Sequence, residues 1–302
     1  MYTKYAETCC IVLRDTAEYP TDMYAAHLAR LHGVARSYTH VLSQDECRRP
    51  LILPTTSVSA SVAAAETSLA MLANGSPQGL QQSRTYHRTG SVIKLTPAAL
   101  LSVHFHVTQI FLYDGAVDSD NEGSGRYSSP LVRSRMLEKC QEATTLCFNA
   151  FNSIPHSQLF DLSYTTLNLI GHAIVVASKL ELLRNKDWSA AMTHTHDDFP
   201  SIMGRLIQGM GHATELARES GDTLADDGLP ESVPLVFRRL PDTLRKIEAV
   251  HEAMAASQSK LSRQQPQSPF PYFGDTMNWE ALFQDSVLTF PEVFSEDFFP
   301  LV

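Results

Sequence analysis

Residues 162–183 read LSYTTLNLIGHAIVVASKLELL. Extended back to Leu159, this is the most apolar segment of the chain. A helix that is apolar around most of its circumference belongs inside a core, so Leu159–Leu183 is expected to be the central helix of a helical body. Ser163, Thr165, Thr166, Asn168, Gly171 and His172 interrupt the run, whereas crossing a bilayer takes roughly 20 apolar residues in succession. No membrane span is expected.

The segments on either side carry helix signals of the same kind. Thr96-Pro97 is an N-cap residue followed by proline at the first helical position, where its missing N–H costs nothing. Leu100, Leu101, His104, Val107, Ile110 and Phe111 then recur at three and four. Ser129-Pro130 repeats the start signal, and Met136, Leu137, Cys140, Ala143, Cys147, Phe148 and Phe151 form the next stripe, ended by Pro155. Beyond the central segment, a helix is expected from about Trp188 through Ile202, Leu206, Met210 and Leu216, bent or broken near Pro200 and closed by Gly221. A last helix carries Leu240, Leu244, Ile247, Val250, His251 and Met254.

Nearer the N-terminus, Met23, His27, Leu28, Leu31, Val34, Tyr38 and Val41 predict an amphipathic helix from Thr21, and Ser59–Ala73 a second one stopped by Asn74-Gly75. Residues 75–92 and 114–128 read as polar loops, and no alternating β-branched run is long enough for a sheet. The fold expected is all-α, a multi-helix domain over 1–257 followed by a linker and tail over 258–302.

That tail differs sharply in composition. Past Arg263 there is no Lys or Arg, while six acids (Asp275, Glu280, Asp285, Glu292, Glu296, Asp297) stand among nine aromatics. Nine of the chain's 26 aromatics thus fall in its last 39 residues. Acids keep such a segment soluble and open, and aromatics can dock in a partner's apolar groove. The partner-binding candidates are Trp279, Phe283, Phe290, Phe294, Phe298 and Phe299. For 277–288 the alternative is a final helix packed on the body, with Trp279, Leu282 and Phe283 facing inward.

Composition narrows the function classes. Hydrophobic residues make up 43% of the 302, enough for a substantial core, and the formal charge of −9 argues against a chain that works by neutralising phosphates. The Arg48-Arg49, Arg84/Arg88, Arg133/Arg135 and Arg238-Arg239 pairs are short and separated. Five scattered cysteines (Cys9, Cys10, Cys47, Cys140, Cys147) make no disulfide framework, and MYTKYAETCC has no apolar signal core. A reducing compartment, nucleus or cytoplasm, is expected.

Chemical motifs are sparse. His194-Thr195-His196-Asp197-Asp198 has ligand-type residues without a convincing third-ligand motif. His104 and His106 point about 200° apart on a helix and cannot chelate together. His104 and His172 read as core histidines, and Cys140 and Cys147 as buried small hydrophobes. Phosphate-binding glycine loops, a nucleophile elbow, His-Glu-x-x-His and CxxC are all missing from the sequence. No catalytic residue, metal or cofactor is assigned.

The order of pieces from Leu95 to Leu216 resembles the middle homology region of fungal zinc-cluster transcription factors. The resemblance rests on LLSVHFHVTQIFLYD, on Cys140-Gln141-Glu142-Ala143 within LEKCQEATTLCFNAF, and on the central apolar helix. It continues through DWSAAM, DDFPSIMGRLIQGMGHATEL and the Trp-containing acidic NWEALFQD. It covers about half the chain through diffuse hydrophobic patterns. It implies a nuclear transcription regulator whose helical body inhibits, dimerises or senses a signal and whose tail recruits coactivators or co-regulators. The family's DNA-binding module needs six closely spaced cysteines for two zinc ions, and this sequence lacks them. Direct DNA binding by this chain alone is therefore not expected, and a homo-oligomer stays open. The rival reading is a helical small-molecule-binding protein or an enzyme of another class, with His104, His172 or Tyr164 in an apolar pocket.

Overall fold

Thr3 opens the first helix. Its hydroxyl accepts the Ala6 N–H at 3.2 Å, and the helix α1 (Lys4–Thr16) ends at Ala17, which adopts a left-handed φ of 41° and closes the last turn through Ala17 N–H to Leu13 C=O. The sequence reading has no helix here, although Ala6, Cys9, Cys10 and Leu13 recur at three and four and form its less exposed side. The computed structural model describes residues 3–19, 21–47, 56–74, 84–88, 91–95, 97–117, 130–183, 198–219, 231 and 233–264.

The chain divides into two units, Met1–Phe151 and Asn152–Val302. In the first, α2 (Asp22–Cys47) packs on α1, on α3 (Thr56–Asn74) and on α4 (Pro97–Tyr113). Val103, Val107, Ile110 and Leu112 of α4 are fully buried, and the buried Tyr38 hydroxyl of α2 donates to Leu112 C=O at 3.0 Å. Helix α5 (Pro130–Asn152) closes the unit, with Cys140, Cys147 and Phe148 fully buried. Both proline start signals hold: α4 begins at Pro97 and α5 at Pro130.

One segment expected as loop is ordered differently. Strands β1 (Arg84–Arg88) and β2 (Ser91–Leu95) pair antiparallel, with Arg88 opposite Ser91. The sequence between them, Thr89-Gly90, has the two-residue length and the glycine that tight hairpins use. The strands are too short to alter the fold class, which is all-α.

In the second unit, the central helix starts later than its hydropathy suggests. Residues His156–Asp161 form a 3-10 turn, Leu162 is extended, and α6 runs Tyr164–Leu183. Ser163 sets the start: its hydroxyl accepts the Thr166 N–H at 3.1 Å, the geometry of a serine N-cap. Fourteen of the twenty α6 residues are buried, so a helix that matches a bilayer span in length and apolarity is here a core helix. Helix α7 (Phe199–Glu219) begins at Phe199 with Pro200 in its first turn, and the stretch expected to be helical before it, 188–197, lies outside the described residues. Asp198 accepts the Ser201 N–H at 3.0 Å, and proline in the first turn loses no hydrogen bond. Trp188, Gly221 and the His194–Asp197 run lie outside the described residues. Helix α8 (Leu235–Gln264) accommodates Pro241 and packs against α7 and α6, burying Phe237, Leu244 and Ile247.

Candidate functional site

Trp279, Phe283, Phe290, Phe294, Phe298 and Phe299 all lie outside the described residues, as does the whole tail. The remaining sequence candidates can be placed. His104 is buried in the first unit, with its ring 5.5 Å from that of His32 in an edge-on contact. Burial, and then the neighbouring His32, pushes the His104 pKa down to about 3. His172 and Tyr164 belong to α6 in the second unit, His172 half-buried and Tyr164 exposed. Cys140 and Cys147 are interior side chains, and burial raises the Cys147 thiol far above the range of a reactive thiolate. Among the described residues, no three His, Cys, Asp or Glu side chains are grouped to hold a metal ion.

Described residues of the first unit line a large cavity and a smaller one. The larger, about 670 Å³, runs between α1, α2 and α3. Small buried residues such as Gly33 and Ala65 line it, with Met71 and Leu72, and Arg30 contributes a 2.7 Å ion pair with Glu7. It offers shape and apolar surface but little convergent chemistry.

The smaller cavity, about 400 Å³, gathers most of the polar chemistry. Helix α3 supplies Glu66. One turn after another of α4 supplies Phe105, His106, Gln109 and Tyr113, and α5 supplies Lys139, Glu142 and Leu146. Residues 106, 109 and 113 follow the three-and-four spacing of one helix face, as do 139, 142 and 146, so two helix faces meet across the cleft. Its size falls in the range of about 300–1,000 Å³ usual for small-molecule sites.

The hydrogen bonds sort these groups by role. Glu66 Oε1 accepts from the Tyr113 hydroxyl at 2.8 Å and from Lys139 Nζ, which also stands 5.6 Å from the Tyr113 ring centre. Burial alone would raise the Glu66 pKa, but the bonds from Lys139 and Tyr113 and the charges of Lys139 and Arg135 outweigh it and hold the carboxyl below its ordinary value. For Tyr113, burial first and the Glu66 contact second push the phenol well above its usual range, so it stays a donor.

His106 Nδ1 lies 2.8 Å from Gln109 Oε1. A carboxamide oxygen accepts, so that contact places the imidazole proton on Nδ1 and leaves a lone pair on Nε2. Burial lowers the His106 pKa; the Gln109 bond and the Glu142 charge only partly oppose this, and the ring is neutral at pH 7. The cleft therefore holds one satisfied ion pair, a neutral histidine acceptor and the exposed Glu142 carboxylate at its mouth.

Sequence reasoning weighed His106 only as a metal-ligand partner of His104 and Glu142 only as part of a helix motif, and it did not single out Glu66 or Lys139. The signal that could have found them is polar residues at three-residue spacing beside an apolar stripe, His106 with Gln109 and Lys139 with Glu142. Comparison of the chain with protein-family models, with curated proteins and with solved structures finds no match.

Proposed function

We propose that this chain is the regulatory and effector portion of a transcription regulator of the fungal zinc-cluster type, without that family's own DNA-binding module. The observation that carries the reading is the segment beyond Arg263, with six acids, nine aromatics and no Lys or Arg, joined to an all-α body. In this reading the body receives a signal and the tail, through Trp279, Phe283, Phe290, Phe294, Phe298 and Phe299, recruits coactivators or co-regulators in the nucleus. Aromatics supply contact area in the partner's groove and acids speed the encounter. The chain acts by binding and catalyses no reaction.

The test is a reporter assay with the chain fused to an unrelated DNA-binding domain, with and without residues 264–302. Activation that depends on the tail is the expected result. Silence of both fusions, with the proteins folded and nuclear, would overturn the reading. The second reading, a helical small-molecule-binding protein, is favoured by one observation, the polar cleft between α3, α4 and α5.

A further inference from the structure

We infer that the cleft between α3, α4 and α5 is a binding site for a small organic cation, a protonated primary amine on a short apolar body. The inference does not depend on what the tail does.

The argument starts from which hydrogen-bonding capacity the cleft has already used. Lys139 is the cationic side chain lining the cleft, and it is engaged by Glu66, as is the Tyr113 hydroxyl. Those three groups form a closed network in which each charge has its partner. What remains for a ligand is the Nε2 lone pair of His106, the carboxylate of Glu142, whose charge reaches the His106 ring, and the neutral Gln109 carboxamide N–H groups. With His106 neutral, the lining groups Glu66, Lys139 and Glu142 sum to one net negative charge.

An anion would meet that net negative charge, and the cation of the lining, Lys139, is already paired with Glu66. A neutral ligand would fill the volume but leave the mouth carboxylate as it was. An ammonium group satisfies both acceptors, with one N–H toward His106 Nε2 and a second toward Glu142, and the ring of Phe105 adds an aromatic edge and face beside the charge. The apolar body has Leu69, Ala70, Ala143 and Leu146 to lie against. Leu146 is exposed, a leucine on the cleft rim that such a body would cover.

The test uses the full chain and three isosteric probes: phenethylamine, 2-phenylethanol and 3-phenylpropionate, titrated by calorimetry at pH 7.5. Phenethylamine is expected to bind, with the alcohol and the acid at least about tenfold weaker, a free-energy gap of about 1.4 kcal/mol or more. Glu142 is exposed, so Glu142→Gln keeps the fold while removing the charge, and it should weaken the amine by about tenfold and leave the alcohol unchanged. His106→Phe, which fills the same space without the lone pair, should weaken the amine as well. Equal binding of all three probes, no binding of the amine, or full amine affinity in Glu142→Gln would each overturn the proposal. Tail-dependent activation plays no part in these readouts, so the two readings fail separately.

Discussion

Ser178 of α6 and His251 of α8 share a 2.8 Å hydrogen bond in the interior of the second unit, and the Phe199 ring of α7 lies 4.3 Å from the same imidazole. Three helices thus meet on one histidine. Burial lowers the His251 pKa, with Glu252 only partly opposing, so the ring is held neutral where it packs. Removing the serine hydroxyl leaves a buried ring nitrogen without that partner, and an orphaned buried polar group costs about 1–3 kcal/mol. Ser178→Ala should therefore lower the unfolding free energy by that amount, read as a lower urea midpoint with unchanged slope. Ser178→Cys, a weaker partner of similar size, should fall between. A change within 0.5 kcal/mol, the order expected of a neutral surface substitution, would mean the bond does not tie α6 to α8.

Ala17 gives the opposite sign. It holds φ at 41°, where a Cβ crowds the following carbonyl and glycine does not. Ala17→Gly should stabilise the end of α1 by about 1 kcal/mol, visible as slower amide exchange over Leu13–Ala17. Unchanged exchange would indicate that the cap contributes nothing to the stability of that turn.

How much of this was legible beforehand varies with the range of the interaction that decides it. The starts of α4 and α5 were readable because Thr96-Pro97 and Ser129-Pro130 are local chemistry, acting within one turn. The start of α6 was misread by five residues because hydropathy continues smoothly through Leu159 and Leu162, while the serine at 163 is what ends the preceding turn and opens the helix. Helix α1 was missed because its inward stripe, Ala6, Cys9, Cys10 and Leu13, is made mostly of small residues, while the larger Tyr5, Ile11 and Val12 are exposed. The cleft was unreadable for another reason. Glu66, His106 and Lys139 lie far apart in the chain, and only the packing of α3, α4 and α5 brings them together. The acid and aromatic tail is legible only as composition.

The ion pair in that cleft links stability to acid. Glu66 is held below the usual carboxylate pKa, so its contribution is present at neutral pH and is lost as pH falls through the folded-state value. Lys139 and Glu66 side chains are 32% and 31% exposed, and solvent screens the pair. Lys139→Met should cost about 1 kcal/mol at pH 7, and the loss should shrink as pH falls through the folded-state value of Glu66. A loss that stays the same as pH falls would assign the effect to the packing of the lysine stem instead.

The buried histidine pair sets a second acid sensitivity, in a higher window. His104 titrates at about 3 when folded against 6.5 ordinarily, and burial lowers His32 as well. The unfolded chain thus takes up protons first as pH drops, and stability declines from pH 6.5 downward until the folded-state values are reached. Unfolding midpoints measured from pH 8 to 5 should fall steadily below 6.5. His104→Leu, which removes one of the rings that burial holds neutral, the others being His27, His32, His106 and His251, should make that decline shallower. A slope unchanged in His104→Leu would place the acid sensitivity elsewhere.

The tail prediction separates effector function from folding. Phe294, Phe298 and Phe299 contribute aromatic contact area without charge, and replacing all three by Ala leaves Glu292, Glu296 and Asp297 in place. If partner grooves are filled by the rings, as in helix-in-groove and related docking modes, the triple substitution removes the contact that acids cannot supply. Reporter activation by a fusion to an unrelated DNA-binding domain should drop several-fold, while the urea midpoint of the body stays unchanged because the body's core residues are untouched. Neutralising the three acids instead should have a smaller effect and make activation less sensitive to salt, since their share is in the encounter rate. Full activation by the Phe294, Phe298 and Phe299 triple variant would remove these rings from the effector reading. A lowered urea midpoint would show that they pack against the folded body.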